Sequence, residues 1–207
     1  MNHPFYDKNA QTRKILSGFL PHWHQDGKLQ FVTIRLADSL PQSKIEDLLE
    51  LKKQFLANNP QPWDNSTQKE YWNLIGHIEA KYLDKGYGAC ILRNHKVRKI
   101  VTETLKHMDG NQYRLIAYVI MPNHVHMLLQ VIGKDNIDSV MQRLKSFTAH
   151  RINEELHTSG PVWMKEYFDR LVRSEEHFDK YLSYIISNTK DVRPEDCELY
   201  VSPEFEK

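Results

Sequence analysis

Only two cysteines, Cys90 and Cys197, occur in 207 residues, far apart and without a Cys-x-x-Cys partner, which leaves no disulfide framework and no zinc knuckle. No apolar run approaches the roughly eighteen residues of a membrane span, and the opening MNHPFYDKNAQTRK is polar, without the apolar core of a secretion signal. Net charge is scarce too. At a formal +1 the bulk chain has no electrostatic pull toward nucleic acid or membrane, so such a partner has to be met by a local patch. Repeats and low-complexity tracts are also missing. A soluble protein of a reducing, cytoplasmic compartment is the expectation.

What is present suffices for one well-packed domain with appendages, since 40% of the residues are apolar. Residues 1–28, with Pro4, Gly18 and Pro21 among polar neighbours, read as an arm that packs only locally. Leu29 to Leu36 alternates as a half-buried strand, Phe31, Thr33 and Arg35 on one face and Val32, Ile34 and Leu36 on the other. Ile45 to Leu56 recurs at helical spacing, and residues of about 60–85 look like an inserted helical hairpin behind the Pro60-Gln61-Pro62 entry. His95 to Met108 is a helix with Lys96, Arg98 and Lys99 outward.

A strand ending near Met121, a turn at Pro122-Asn123 and a strand from His124 to Val131 follow. Ile137 to Leu156 is a long helix with Val140, Leu144, Phe147, Thr148 and Ile152 as its buried stripe. The last helix, roughly Glu175 to Asn188, starts on a Ser174 cap followed by two acids. Its stripe is Phe178, Tyr181, Leu182, Ile185 and Ile186, with Tyr184 and Asn188 together on the flank, one turn apart. Residues 191–207 read as a loosely held tail. The order strand, helix, strand pair, helix, with one strand uncertain, suggests an α+β, βαββαβ sandwich with a central antiparallel sheet and one open face.

The chemistry gathers at His124-Val125-His126. Alternate residues of a strand share a face, so both imidazoles converge on one spot, a common way to hold a divalent ion. With 11 histidines in the chain, two ordinary strand histidines are the plain alternative. His22-Trp23-His24 is a second such pair, in a stretch with no long apolar strand to fix its direction. A nucleotide hydrolase built on His-x-His-x-His is excluded by Leu128.

The runs YVIMPNHVHMLL, MQRLKSFTAHRIN and YFDRLVRSEEHFDKYLSYIISN resemble the REP-associated tyrosine transposases, relatives of the IS200-type single-tyrosine transposases of the HUH nuclease superfamily. The similarity spans roughly Phe31 to Asn188, less the region of residues 60–84. It implies a ferredoxin-like domain over residues 29–190 whose C-terminal helix is catalytic. It further implies that His124 and His126, with the amide of Asn188, bind Mg²⁺ or Mn²⁺, and that Tyr184 is the nucleophile of a metal-dependent single-stranded DNA endonuclease and strand transferase. The intermediate would be a 5′-phosphotyrosine at hairpin-bearing repeat DNA. Neutral imidazoles and an amide leave such an ion its full double charge for the scissile phosphate. Where the family often reads Asn-Pro, this chain reads Asn188-Thr189.

Tyr181 is the rival nucleophile, but it lies inside the apolar stripe and the amide four residues on belongs to Tyr184. Lys145, Arg170 and Arg173 are the basic residues proposed for DNA phosphates. The partner is single-stranded or hairpin DNA, with bases stacking on Trp or Tyr side chains, and no membrane; the protein is a monomer or homodimer. The competing readings are a catalytically silent DNA-hairpin-binding regulator on the same fold, and a purely structural metal site.

Overall fold

The computed structural model describes residues 4–17, 20–60 and 85–205, with 63, 64, 66, 67, 70, 71, 74, 82 and 83. Its strands are β1 (Arg13–Ser17), β2 (Leu20–His24), β3 (Leu29–Arg35), β4 (Tyr113–Ile120), β5 (His124–Val131), β6 (Phe168–Leu171) and β7 (Glu198–Val201). The α-helices with both ends among the described residues are α1 (Gln42–Asn58), α2 (His95–Met108), α3 (Ile137–Leu156) and α4 (Glu175–Ser187). The chain divides into two compact units, residues 1–37 with 91–207, and residues 38–90.

The larger unit is built on a sheet of order β6-β3-β5-β4-β7, antiparallel at every junction. Within it β3, α2, β4, β5, α3 and β6 follow one another as βαββαβ, with β3 and β5 central and β6 and β4 outside them. This is the ferredoxin-like arrangement, α+β as expected.

Alternation decides what each face becomes. Val125, Met127, Leu129 and Val131 of β5 and Val32 and Ile34 of β3 point one way and are buried with Val97, Val101 and Leu105 of α2 and Val140, Met141 and Leu144 of α3. Each such side chain stabilises the fold by about 1.5–3 kcal/mol through burial. On the other face Phe31 of β3, Leu128 of β5 and Val119 of β4 pack with Phe178, Leu182 and Ile185 of α4. The sheet therefore has no open face: α4 covers the side on which the histidines stand.

The helix ends follow local chemistry. Asn94 caps α2 by accepting from Lys96 N, Asn136 and Ser139 form a reciprocal capping box on α3, and Ser174 accepts from His177 N to start α4, with Glu175 and Glu176 in its first turn.

Several expectations are corrected. The N-terminal segment pairs β1 with β2 and also packs beyond itself: Leu29 N donates to Pro4 O at 2.8 Å, and Tyr6 N donates to Val172 O at 2.8 Å. The C-terminal residues are not a loose tail. β7 extends the sheet on β4, and Glu198 accepts from Thr102 Oγ1 at 2.8 Å and Tyr118 Oη at 2.9 Å. Arg98 does not point to solvent. It is buried, donating to Leu92 O at 2.9 Å and to Glu195 O at 2.8 Å, so it ties the chain before β7 to α2. Phe147 and Ile186, placed in buried stripes by spacing, are 57% and 41% exposed.

In the smaller unit Leu40, Leu48 and Leu83 form a small core with Ile45 and Tyr82, and Phe55, Trp63 and Tyr71 meet ring to ring. Its two ends are closed on each other. Asp38 accepts from Ala89 N at 2.7 Å, and Gly88 has φ +89°, with a Cβ there falling 2.5 Å from Asp38 O, so only glycine fits. Most of the expected hairpin at residues 60–85 lies outside the described residues. Those of 66–83 that are described are helical.

Candidate active site

His124 and His126 enter the α4-covered face because β5 begins at His124 and alternates from there. Their rings are 4.6 Å apart, centroid to centroid, and only 1% and 3% exposed. Burial pushes the His124 imidazole down to about 3, and it holds His126 well below the ordinary histidine value, with His124 adding to the effect. Both rings are therefore neutral, the form that ligates metal.

Each ring is held from behind. His124 Nδ1 lies 2.8 Å from Asn123 Oδ1, and His126 Nδ1 lies 2.7 Å from Thr33 Oγ1. Thr33 and Arg35 are the cross-strand partners of His126 and His124, so they share the histidine face. Spacing alone reads Asn123 as turn punctuation and Thr33 as a strand residue. Their roles depend on the β3–β5 register, which no single strand's pattern reveals.

Tyr184 reaches this site from α4. Its hydroxyl is 3.4 Å from His126 Nε2, and the phenol is partly exposed. Tyr181 is different. It lies flat on Phe31 at 4.4 Å with 7° between planes, and burial raises its pKa, opposed by Arg170. Phe31 stacks in turn with His126 at 5.4 Å.

Asn188 is only half brought in. It caps α4, its Nδ2 donating to Tyr184 O at 2.7 Å, and among the described residues it makes no hydrogen bond to either histidine. No cluster of three or more His, Cys, Asp or Glu side chains suited to a metal occurs among the described residues. A divalent ion fits the donors that are present. Two neutral imidazoles face one spot, and His124 Nε2 is buried without a hydrogen-bond partner among the described residues.

The three basic residues separate. Arg170 and Arg173 both act electrostatically on His177 and Tyr181, so they lie beside the early turns of α4. Arg173 is exposed, over the Tyr6 ring at 5.7 Å. Lys145 belongs to α3, which covers the opposite face. Its Nζ donates to Lys165 O at 2.6 Å, and burial lowers its pKa to about 8 against the pull of Asp138 and Glu166. In the second His-x-His pair, His24 is buried with Nε2 3.0 Å from Asp26, while the His22 side chain lies outside the described ones.

Residues 87–188, just under half of the chain, match the family model described as transposase IS200 like. That segment belongs to the IS200-like transposase family. It holds both histidines, Tyr184 and Asn188, and it omits β3 and β7. An uncharacterized protein of Haemophilus influenzae is 28% identical over 114 residues, which cover 44% of this chain and 61% of that one. The match thus spans less than two thirds of that relative.

Two solved structures are more distant. A REP-associated tyrosine transposase bound to a REP hairpin has 12% identity and a TM-score of 0.45, covering 84% of this chain and 73% of its own. A protein of Deinococcus radiodurans described as a candidate transposase has 14% identity and a TM-score of 0.31, covering 88% and 95%. At those scores neither likeness bears on what this IS200-like segment does. No described helix is long and apolar enough to cross a membrane.

Proposed function

We propose that this chain is a metal-dependent single-stranded DNA endonuclease and strand transferase with Tyr184 as nucleophile. The observation that carries the reading is the approach of Tyr184 Oη to 3.4 Å from His126 Nε2, on a face where both imidazoles are neutral and His124 Nε2 has no hydrogen-bond partner among the described residues. Tyr184 lies 58 positions from His126 on a different element, and its ring packs against Phe31 and His126 while its hydroxyl faces the imidazole nitrogen.

In this reading His124, His126 and the Asn188 oxygen would hold Mg²⁺ or Mn²⁺, which would supply Lewis-acid stabilisation of charge on the scissile phosphate. Because Asn188 Nδ2 is already anchored on α4, its oxygen is the atom presented outward. Tyr184 Oη loses its proton and attacks phosphorus in line. The P–O3′ bond breaks, the 3′ oxygen takes up a proton, and the 5′-phosphate stays on tyrosine with the bond energy kept for rejoining. A free phenol titrates near 10, so ionisation needs positive charge nearby. Arg35, the register partner of His124, is a cation on the same face of the sheet. Arg170 and Arg173 supply phosphate contacts along the entering strand, whereas Lys145 supports the loop at Lys165. Hairpin-bearing repeat DNA is the proposed target, from the likeness of the sequence motifs; the host compartment is the cytoplasm.

The test is a labelled single strand carrying a hairpin, incubated with protein and Mn²⁺. Wild type is expected to nick it and to give a covalent protein–DNA band that Tyr184→Phe abolishes. Hairpin binding without a covalent band under any divalent metal would instead establish a silent DNA-binding regulator.

A further inference from the structure

A neutral imidazole carries one proton on two nitrogens, and the partner of one nitrogen decides whether the other offers a lone pair. His124 Nδ1 faces the amide oxygen of Asn123 at 2.8 Å, and an amide oxygen only accepts. The proton therefore sits on Nδ1, and Nε2 is a bare lone pair. That Nε2 is buried without a hydrogen-bond partner among the described residues, which is the state of a ligand atom waiting for a cation.

His126 lies between two hydroxyls, Thr33 Oγ1 at 2.7 Å from Nδ1 and Tyr184 Oη at 3.4 Å from Nε2. A phenol is the more acidic hydroxyl, so Tyr184 is the donor to Nε2, and Nδ1 donates to Thr33. Both rings then carry the same tautomer, and their Nε2 atoms belong to rings 4.6 Å apart.

The two partners come from separate, backbone-fixed places. Asn123 precedes β5, is 1% exposed, and its carbonyl accepts from Leu36 N at 2.9 Å. Thr33 is the register partner of His126 across the β3–β5 ladder and is 8% exposed.

We propose that Asn123 and Thr33 are positioning residues that hold His124 and His126 as Nδ1–H tautomers and so present both Nε2 lone pairs to one divalent ion. This inference rests on the metal-bearing reading of the site.

Three measurements on the full chain test it: Mn²⁺ affinity by calorimetry, histidine-ring nitrogen NMR of the metal-free protein, and thermal unfolding without metal. Asn123→Ala and Thr33→Val should each weaken Mn²⁺ binding about 10- to 100-fold. Asn123→Asp and Thr33→Ser, which keep an acceptor in place, should restore most of it. Metal-free wild type should show Nδ1–H on both rings, and Asn123→Ala should shift His124 toward Nε2–H.

Wild type that binds Mn²⁺ while Asn123→Ala and Thr33→Val bind it equally well overturns the proposal. So does an Nε2–H tautomer in wild type, a result that does not depend on any variant folding. Failure of wild type itself to bind Mn²⁺ while showing Nδ1–H on both rings would sink the metal reading and leave the positioning geometry standing as measured.

Discussion

The two faces of the sheet are made by the same strands and differ in almost everything else. Under α2 and α3 the inward residues of β3 and β5 from Val32 to Ile34 and from Val125 to Val131 are hydrocarbon or thioether. Under α4 the alternate positions of the same strands give Thr33, Arg35, His124 and His126 at one end and Phe31 and Leu128 at the other. One face is organised for packing, the other keeps polar atoms out of water at a cost. A buried neutral ring nitrogen without a partner lowers stability by about 1–3 kcal/mol, which is tolerated only where the pairing elsewhere is secure. The lesson is that a period-two strand can separate stability from chemistry, residue by residue, so the two should break independently.

The largest expected break is on the chemical side. Tyr184→Phe should reduce covalent adduct formation at least about a thousandfold while shifting the melting temperature little, since the ring that packs on Phe31 is kept and the contact to His126 Nε2 is a long one at 3.4 Å. Rate and unfolding measured on one preparation check this. An equal fall in both would mean that the faces are not separable.

Leu129→Ala on the packing face is the mirror experiment. At 0% exposure it should cost about 2–5 kcal/mol in denaturant unfolding, with Mn²⁺ affinity of the folded fraction unchanged.

Acid sharpens the same contrast. His124 and His126 have folded-state pKa values depressed by burial, so below the unfolded value near 6.5 the unfolded chain takes up protons that the folded chain refuses. Stability is full above that pH and falls as pH drops toward about 3, by up to about 1.4 kcal/mol per pH unit for each ring. Unfolding at a series of pH values should show the slope, and the double variant His124→Gln, His126→Asn should flatten it.

The smallest effect is expected at the rim. Arg173→Ala should weaken hairpin binding a few-fold and lower its salt dependence by about one unit, with no change in unfolding, because the side chain is exposed. Titrations at several salt concentrations are the check.

Much of this contrast is legible in the chain itself. His124–Val131, Ile137–Leu156 and His95–Met108 carry long periods and clear ends, and they occur at those bounds. The convergence of Tyr184 on His126 joins a strand to a helix 58 positions later, and only the resemblance of the motifs anticipates it. What escapes is short or tertiary. β6 and β7 are four residues each, too few for a period, and β7 becomes a strand because β4 offers a free edge and Glu198 finds Thr102 and Tyr118. Arg98 reads as solvated because helical spacing cannot know that Glu195 O arrives from 97 positions away. Phe147 and Ile186 sit within their stripes by angle yet outside the area their neighbours cover.

The most direct test of the whole account is to map the adduct. Protein incubated with Mn²⁺ and hairpin-bearing single-stranded DNA is digested, and the peptide that carries nucleotide is sequenced by mass spectrometry. The account predicts a 5′-phosphotyrosine at Tyr184 within Glu175–Ser187. Nucleotide on Tyr181 instead, or no modified peptide while the DNA is still cut, would contradict it.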